Sequence, residues 1–390
     1  MSTVRERLTH HLRVLVEDVG ARPPGSPANE RACDHAAEVL RSCGLEVVEH
    51  PFITRWWEPG DGRVETPDGA LDAPPNPYSP ACDVQGHVQR VERLAGLEVL
   101  EPDPARVLVL HGELTREQLL PAAFPFLDLP AHTRIRAALQ RLRPAAVVSL
   151  SEHWQPILED PDVGVPSTTL PPEAGAALVD GRRVRVRLGG AVHEGTGRTV
   201  AAHTGQRGAR LVLSAHLDSK ATTPGAFDNA ASVAILLTLA EQGLEGLGPT
   251  ELVLFNGEDH FDACGEVAWL TGTDLGEVVA NLNLDGVGLT GQGTSVATLA
   301  CPPGLEAAID DWTAQRPGWV RAEPWIESDH AIFAMRGIPA LAITSEDVHQ
   351  LLGGLAHSPA DTLEVLDLAV LEDVVRALPG LVTRVRDHLG

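Results

Sequence analysis

The sequence predicts a layered α/β fold in which helices flank a mixed sheet. Short apolar runs, typical of buried strands, alternate with Ala- and Leu-rich segments of helical periodicity. Several of these strands are followed directly by a histidine or an acid, and the stretch from Leu211 to Glu241 shows this pattern most fully. Because ligands bind at the carboxyl ends of strands in open α/β sheets, one edge of the sheet is expected to carry the chemistry.

The composition is that of a globular protein and excludes several classes of partner. The chain has 390 residues and a formal charge of −24, which argues against binding to nucleic acid. No apolar run is long enough to cross a bilayer, and the polar start lacks an apolar signal core. We therefore expect a cytoplasmic protein without a membrane partner. The five cysteines are scattered and include no Cys-x-x-Cys pair, which indicates reduced thiols rather than disulfides or a cysteine zinc site.

The amino-terminal elements are predicted from periodicity and turn residues. Apolar residues at helical spacing predict a helix over 4–19. A second helix is expected to begin at an Asn29 cap and to end at Gly44, with a strand over 45–52 after it. The stretch 58–80 is rich in Pro, Gly and Asp, which predicts loops with at most a weak strand.

The middle of the chain differs from the rest in its sequence pattern. It carries strand candidates at 107–110, 145–150 and 184–188 and a helix at 135–142, but no His/Asp/Glu cluster with ligand spacing. We therefore predict an inserted domain over 84–190 that shapes access and supplies no metal ligand. The remaining residues, 1–83 and 191–390, are predicted to form the catalytic domain.

The last part of the chain contains the polar residues that follow strands. Apolar runs predict strands at 211–214, 250–255, 278–284 and 339–343, and periodicity predicts a closing helix over 366–389 with a possible break at its Pro-Gly pair. Five residues share one placement, directly after a strand or in a loop before a helix: His216, Asp228, Asp259, Asp285 and His357.

Two histidines and three carboxylates suit two divalent metals bridged by one carboxylate, each with an open position for water. If Glu258 converges with the three aspartates, four carboxylates cannot all stay ionised without positive charge, which two zinc ions would supply. Any one of these acids could instead be a helix cap or a solvated turn residue. The whole set is much less expected by chance than any single member.

These residues lie in ordered motifs that resemble those of the co-catalytic di-zinc aminopeptidase family, peptidase family M28. Glutamate carboxypeptidase II, glutaminyl cyclase and the transferrin receptor ectodomain belong to the same superfamily. The motifs are His216-Leu217-Asp218-Ser219, Gly225-Ala226-Phe227-Asp228-Asn229-Ala230, Asn256-Gly257-Glu258-Asp259, Asn283-Leu284-Asp285-Gly286-Val287-Gly288, Ser328-Asp329-His330 and His357-Ser358-Pro359-Ala360-Asp361-Thr362.

The resemblance implies a zinc-exopeptidase fold of the phosphorylase/hydrolase-like type and a role for each residue. Asp228 would bridge two zinc ions, one completed by His216 and Asp285 and the other by Asp259 and His357; cobalt or manganese could substitute. Glu258 would be the general base, and Asp218 would orient His216. The implied reaction is hydrolysis of the N-terminal peptide bond of peptides by a hydroxide held between the metals.

The chain also departs from the family pattern. Where the family more often has Glu-Glu, this chain has Glu258-Asp259, and the shorter aspartate could change metal affinity or position. The insert resembles a protease-associated domain in the order of its elements and its Gly112-Glu113-Leu114 turn. His10, His11 and His203 lie outside the motifs and are expected to be surface or structural residues.

Three other functions remain open at this point. A glutaminyl-cyclase-like aminoacyltransferase would use a similar pocket with one zinc ion, whereas both histidines here favour two. A carboxypeptidase or dipeptidase acting on acidic substrates would need a basic pocket, but only Lys220 and Arg336 lie beside the motifs. A non-catalytic binding relative would be expected to have lost ligands, and none is missing.

Overall fold

The chain forms two compact units in the computed structural model, which describes residues 2–152, 155–205, 208–244, 246–347 and 354–389. Unit one comprises Met1–Thr54 and Gly195–Gly390, and unit two comprises Arg55–Glu194. The sequence placed the boundaries of the insert at 84 and 190, whereas the chain passes between the units after Thr54 and after Glu194.

The helices of the described residues are α1 (Val4–Leu12), α2 (Pro27–Ser42), α3 (Leu94–Glu98), α4 (Pro130–Leu142), α5 (Ala231–Gln242), α6 (Cys264–Gly272), α7 (Pro303–Ala314), α8 (His330–Ala334) and α9 (Leu368–Leu389). The strands of the described residues are β1 (Glu46–Glu58), β2 (Gly62–Thr66), β3 (Gly69–Asp72), β4 (Cys82–Val91), β5 (Arg106–Leu110), β6 (Ala146–Leu150), β7 (Ser167–Leu170), β8 (Arg183–Leu188), β9 (Ala191–His203), β10 (Arg210–His216), β11 (Thr250–Phe255), β12 (Val278–Leu284), β13 (Thr294–Leu299), β14 (Trp319–Arg321) and β15 (Ala340–Ser345).

The two amino-terminal helices are fixed by polar caps. Thr3 and Glu6 form a capping box at the start of α1, and a π-helical segment, Arg13–Val19, continues it over the predicted range. The cap of α2 is Ser26, whose hydroxyl accepts a hydrogen bond from the backbone N–H of Asn29 at 3.1 Å. The predicted Asn29 cap is therefore wrong. Pro27 favours the first helical position, which moves the start of the helix upstream.

Unit one is built on a mixed sheet with the strand order β1-β9-β11-β10-β12-β15-β13-β14. β10 pairs in parallel with both β11 and β12, and β12 pairs in parallel with β15. β9 and β13 run antiparallel to their neighbours β11 and β15. The central strands are buried along nearly their whole length, as expected for strands covered on both faces. The predicted layered α/β fold with a mixed sheet flanked by helices is thus confirmed.

Helix α5 lies in the middle of the core of this unit. Ten of its residues, from Ala231 to Ala240, are buried, and it packs against α1, α2 and α9. A helix that is apolar on all sides is stable only when other elements cover all of them. Helix α9 covers one side of α5. It continues without a break through Pro379, so the break considered from the sequence is absent. Packing of its buried face outweighs the backbone hydrogen bond that the proline cannot make.

The parallel pairing brings three polar segments to one edge of the sheet. His216 ends β10 in register with Phe255, the last residue of β11. Asn256 therefore begins the segment that follows β11 beside the end of β10. Asp285 directly follows β12, the parallel neighbour on the other side. This edge is the one at which open α/β sheets bind ligands.

A buried pair of amides joins α2 to this edge. Asn29 donates to the side-chain oxygen of Asn256 at 2.7 Å, and Asn256 donates back to that of Asn29 at 2.9 Å. Asn256 also donates to the carbonyl of Arg198 at 3.0 Å. Both amides are buried, so each depends on the other for its hydrogen bonds.

Unit two contains a seven-stranded sheet with the strand order β3-β2-β8-β4-β5-β6-β7. Strands β4 to β7 pair in parallel, whereas β2, β3 and β8 pair antiparallel. The prediction of loops over 58–80 is wrong in part, because β2 and β3 form a hairpin there. Asp68 and Gly69 turn the chain, and cross-strand pairing stabilises segments whose composition alone favours turns. Among the described residues, no helix has the length and apolar character needed to span a membrane.

Replacing Asn29 with alanine tests the amide pair. Asn29→Ala leaves the buried amide of Asn256 without its reciprocal partner, so the free energy of unfolding of unit one is expected to fall by about 2–3 kcal/mol. Urea denaturation measures this change. Glu38→Ala, at an exposed position of α2, is the control and should change it by less than about 0.5 kcal/mol. Equal effects of the two substitutions would contradict the structural role of the pair.

Candidate metal centre

The carboxyl end of β10 carries two of the predicted site residues, and both are fully buried. The ring of His216 points into the site, and its Nδ1 lies 3.7 Å from Asp218 Oδ1. The Asp218 carboxylate accepts hydrogen bonds from the backbone N–H groups of Gly257 at 2.8 Å and Asp259 at 3.1 Å. Asp218 therefore lies beside His216 and at the same time fixes the segment that follows β11.

Asp228 lies in the segment that leads into α5, and its neighbours fix its position. The Asp361 carboxylate accepts hydrogen bonds from the backbone N–H of Phe227 at 2.7 Å and from that of Asp228 at 3.1 Å. Asn229, joined to Asp228 by a cis peptide bond, donates from its side chain to the carbonyl of Leu284 at 2.9 Å. Helix α5 begins only at Ala231, because Asp228 and Asn229 have non-helical backbone angles.

The two carboxylate oxygens of Asp228 face different histidines. Oδ1 lies 3.0 Å from His216 Nε2, and Oδ2 lies 3.1 Å from His357 Nε2. His357 Nε2 is also 2.8 Å from Asp259 Oδ1, and His216 Nε2 is 3.5 Å from Asp285 Oδ1. The structure thus brings all five predicted ligands together in two groups of three that share Asp228.

Glu258 lies next to both groups. Its Oε2 is 4.0 Å from His216 Nε2. Two adjacent residues of an extended strand point to opposite sides, but Glu258 and Asp259 both reach the site because the chain leaves the strand at Gly257. The φ of Gly257 is +142°, and a Cβ there would lie 3.1 Å from the backbone nitrogen of Gly265.

The charges of the site are strongly coupled. Burial lowers the pKa of His216, but the carboxylates of Asp285, Asp218 and Asp228 outweigh this effect and hold the pKa well above its ordinary value. Burial raises the pKa of Glu258 well above its ordinary value, and the neighbouring carboxylates of Asp285 and Asp259 add to the rise. So many acids close together and poorly solvated require compensating positive charge to stay ionised.

The donor set fits a divalent metal. Both ring nitrogens of His216 and Oδ2 of Asp259 are buried, and none of them makes a hydrogen bond of good geometry among the described residues, although carboxylates lie close to His216. One ligand atom each from His216, Asp228 and Asp259 lies within 4.8 Å of the others. Buried polar atoms without partners are costly, and imidazole nitrogen and carboxylate oxygen are ligands that zinc accepts.

Arg22 is a residue of this region whose function the sequence did not reveal, because it lies in a Pro- and Gly-rich stretch between two helices. It is fully buried and donates to the carbonyls of Leu217 at 2.6 Å, Pro224 at 2.6 Å and Gly225 at 2.9 Å. It thereby fixes both ends of the loop between His216 and Asp228. Nothing in the sequence near Arg22 distinguishes it from an exposed arginine.

Four further polar residues of the motifs had no assigned function in the sequence. Asp361 and Asn229 could have been suspected because each lies inside a motif, but only the structure gives their partners. His330 is held structurally, since its Nε2–H donates to the carbonyl of Trp325 at 2.7 Å. Asp329 is buried with both oxygens unpaired among the described residues, and its burial raises its pKa well above the ordinary value.

The chain is similar to known proteins in part of its sequence and in its fold. A model of peptidase family M28 matches residues 198–382, whereas no curated protein sequence matches the chain. Among solved structures, an aminopeptidase from Aneurinibacillus sp. strain AM-1 is 19% identical, with a TM-score of 0.76 over 98% of this chain and 93% of that one. BSAP, a zinc aminopeptidase from Bacillus subtilis, is 16% identical, with a TM-score of 0.74 over 97% and 94%.

The peptidase M28 precursor from Shewanella amazonensis is also 16% identical, with a TM-score of 0.73 over 98% of this chain and 96% of that one. At these identities the solved structures establish the fold. Together with the family match and the His/carboxylate cluster, they define a hydrolase of the metallopeptidase class. The match to the model of peptidase family M28 is confined to residues 198–382, which include the whole His/carboxylate cluster.

Arg22→Lys tests whether the buried guanidinium holds the loop. A lysine cannot reach three carbonyls that lie in different directions, so at least one buried carbonyl loses its partner. The free energy of unfolding of unit one is expected to fall by about 2–4 kcal/mol in urea denaturation. Arg13→Lys, at a position whose side chain is 60% exposed, is the matched control and should leave it nearly unchanged. A loss no larger than that of the control would show that Arg22 is not structurally important.

Proposed function

We propose that this chain is a di-zinc aminopeptidase that hydrolyses the N-terminal peptide bond of peptides. The observation that carries the proposal is the position of Asp228 between two histidines, with one oxygen facing each. This is the arrangement expected of a carboxylate that bridges two metal ions. His216 and Asp285 would complete one site, and His357 and Asp259 the other.

Bound zinc ions would supply a Lewis acid for the scissile carbonyl and lower the pKa of the attacking water. Glu258 is the general base: it is close to His216 yet is not needed as a ligand of either group. It would take the proton from the attacking water and deliver it to the leaving amine nitrogen. Asp218 is a positioning residue, because its contacts fix both His216 and the backbone that carries Glu258 and Asp259.

The charges around the site favour a substrate with a free amino terminus. The basic side chains nearest to the cluster are already engaged: Arg22 donates to three carbonyls, and Lys220 Nζ lies 3.9 Å from Asp259 Oδ1. A substrate carboxylate would therefore meet mainly acids, whereas an ammonium group would be attracted to them. This argument supports an aminopeptidase over a carboxypeptidase. The presence of both histidines supports two metals rather than the one of a cyclase-like aminoacyltransferase.

Metal removal tests the proposal directly. Exhaustive chelation is expected to abolish hydrolysis of aminoacyl-anilides, and zinc or cobalt to restore it, because every proposed step needs the two metals. Metal analysis of the saturated protein should give about two zinc ions at this site per chain. Full turnover in a sample shown to be free of metal would overturn the assignment, as would a single zinc ion together with cyclase activity.

Adjacent acids with different functions give a second test. Glu258→Gln keeps the shape of the side chain but cannot accept a proton, so kcat is expected to fall by about 10²–10⁴-fold with both metals bound. Asp259→Asn weakens a ligand, so one zinc ion should be lost or held more loosely, and excess zinc should partly restore activity. Metal counts and turnover are measured on both variants.

Glu306→Gln, at an exposed position of α7, is the control for the loss of one negative charge and should match the unmodified chain. Should Glu258→Gln lose a zinc ion while Asp259→Asn keeps both, the proposed functions of the two acids are reversed.

A further inference from the structure

A second group of potential metal ligands lies away from the site, in the amino-terminal helices. His10 and His11 are in the last turn of α1, and His35 is in α2. One ring nitrogen of each lies within 4.8 Å of the others. From the sequence, His10 and His11 were expected to be only surface or structural residues. The cluster was not predicted, because its members lie on two separate helices and a sequence pattern does not show which helices pack together.

The three rings face one another around a small space. Their centroids are 5.4 Å apart for His10 and His11, 5.8 Å for His10 and His35, and 5.2 Å for His11 and His35. His11 Nδ1 lies 3.0 Å from His35 Nε2. Two nitrogens bound to one zinc at about 2.0–2.1 Å would be separated by a similar distance. A hydrogen bond between His11 and His35 would explain that one contact but not the approach of His10.

Glu241, at the end of α5, fixes the orientation of His11. Its Oε2 lies 3.3 Å from His11 Nε2, which therefore carries the ring proton and leaves the Nδ1 lone pair directed at His35. A carboxylate that holds the far nitrogen of a histidine is a regular feature of metal-bound imidazole. Arg7 is the nearest cation, and its Nε lies 3.6 Å from the same carboxylate, which offsets its charge.

The imidazoles are also held in the form that binds metals. Burial, together with the neighbouring His35, His10 and Arg7, lowers the pKa of His11 to about 3. Burial and the neighbouring His10 lower the pKa of His35 as well. Protons therefore compete little with a metal for these two nitrogens near neutral pH.

We propose that His10, His11 and His35 form a binding site for one divalent transition-metal ion that cross-links α1 to α2. The all-imidazole donor set suits zinc, nickel or copper(II) and leaves a position for water on the exposed side of His10. The ion stabilises the fold, because it binds only when the two helices are packed together. It takes no part in turnover. The proposal is independent of the proposed peptidase function.

Copper(II) and zinc binding to the full-length protein tests this site. The unmodified chain is expected to bind one more ion than His35→Gln, as measured by mass spectrometry of the metals after equilibrium dialysis. Copper(II) bound there should give an electron paramagnetic resonance spectrum with nitrogen hyperfine structure from three imidazoles, unlike copper at the carboxylate-rich site. Zinc should raise the melting temperature of the unmodified chain by more than that of the variant.

Two further variants make the result decisive. His10→Gln changes an exposed side chain and does not endanger folding, yet should weaken binding by about tenfold or more. His388→Gln, at an exposed histidine of α9, is the matched control and should keep the extra ion. Turnover should be equal in all four proteins at saturating zinc. Equal stoichiometry and equal zinc-induced stabilisation in the unmodified chain, His10→Gln and His35→Gln would overturn the proposal, whatever the other site binds.

Discussion

Negative charge gathered at one buried edge of a sheet is the constraint on which the rest of this structure depends. Asp218, Asp228, Asp259, Asp285 and Glu258 converge there around two imidazoles. Carboxylates so close together and so poorly solvated cannot all remain ionised without compensating positive charge. The carboxylates raise the pKa values of His216 and His357 above the ordinary value, whereas bound divalent ions would supply positive charge directly and let the histidines act as neutral ligands.

Backbone pairing and hydrogen bonds around the site hold these mutually repelling carboxylates in place. Parallel pairing of β10 with β11 and β12 determines which residues meet at the edge. Backbone N–H groups donate hydrogen bonds to the carboxylates of Asp218 and Asp361, and the guanidinium group of Arg22 donates to backbone carbonyls. These hydrogen bonds fix the loops between the strands. Preorganisation of this kind is what a metal site needs, because ligands must be held within a fraction of an ångström.

The two candidate metal sites differ in chemistry and therefore in consequence. The sheet-edge site combines carboxylates with imidazoles and keeps Glu258 available for proton transfer, as hydrolysis requires. The histidine cluster of α1 and α2 lacks any such base within its ligand set, and its ion would act only on stability. Both rely on helices packed around α5, which joins the core of unit one to the segment that carries Asp228.

Local sequence determined much of the fold and the membership of the candidate site. The strands over 250–255 and 278–284 were predicted to the residue, because buried strands of a covered sheet are rich in apolar residues. His216 and Asp285 lie at or directly after the ends of such strands, Asp259 follows soon after another, and Asp228 and His357 lie in loops. This placement and the resemblance of the motifs grouped the five residues before the structure was known.

Only the tertiary structure decided which residues hold that edge together. The contacts of Arg22 and the Asn29–Asn256 pair join segments about 200 residues apart or more, and no local pattern marks them. The hairpin of β2 and β3 and the unbroken course of α9 through Pro379 likewise depend on long-range packing that outweighs local preference. The histidine cluster belongs to the same group, because two helices must pack before their imidazoles meet. The physical reason is the same in each case. A sequence pattern shows the periodicity and the chemistry of residues along the chain, whereas the partners of a buried polar group depend on which segments pack together in the folded protein.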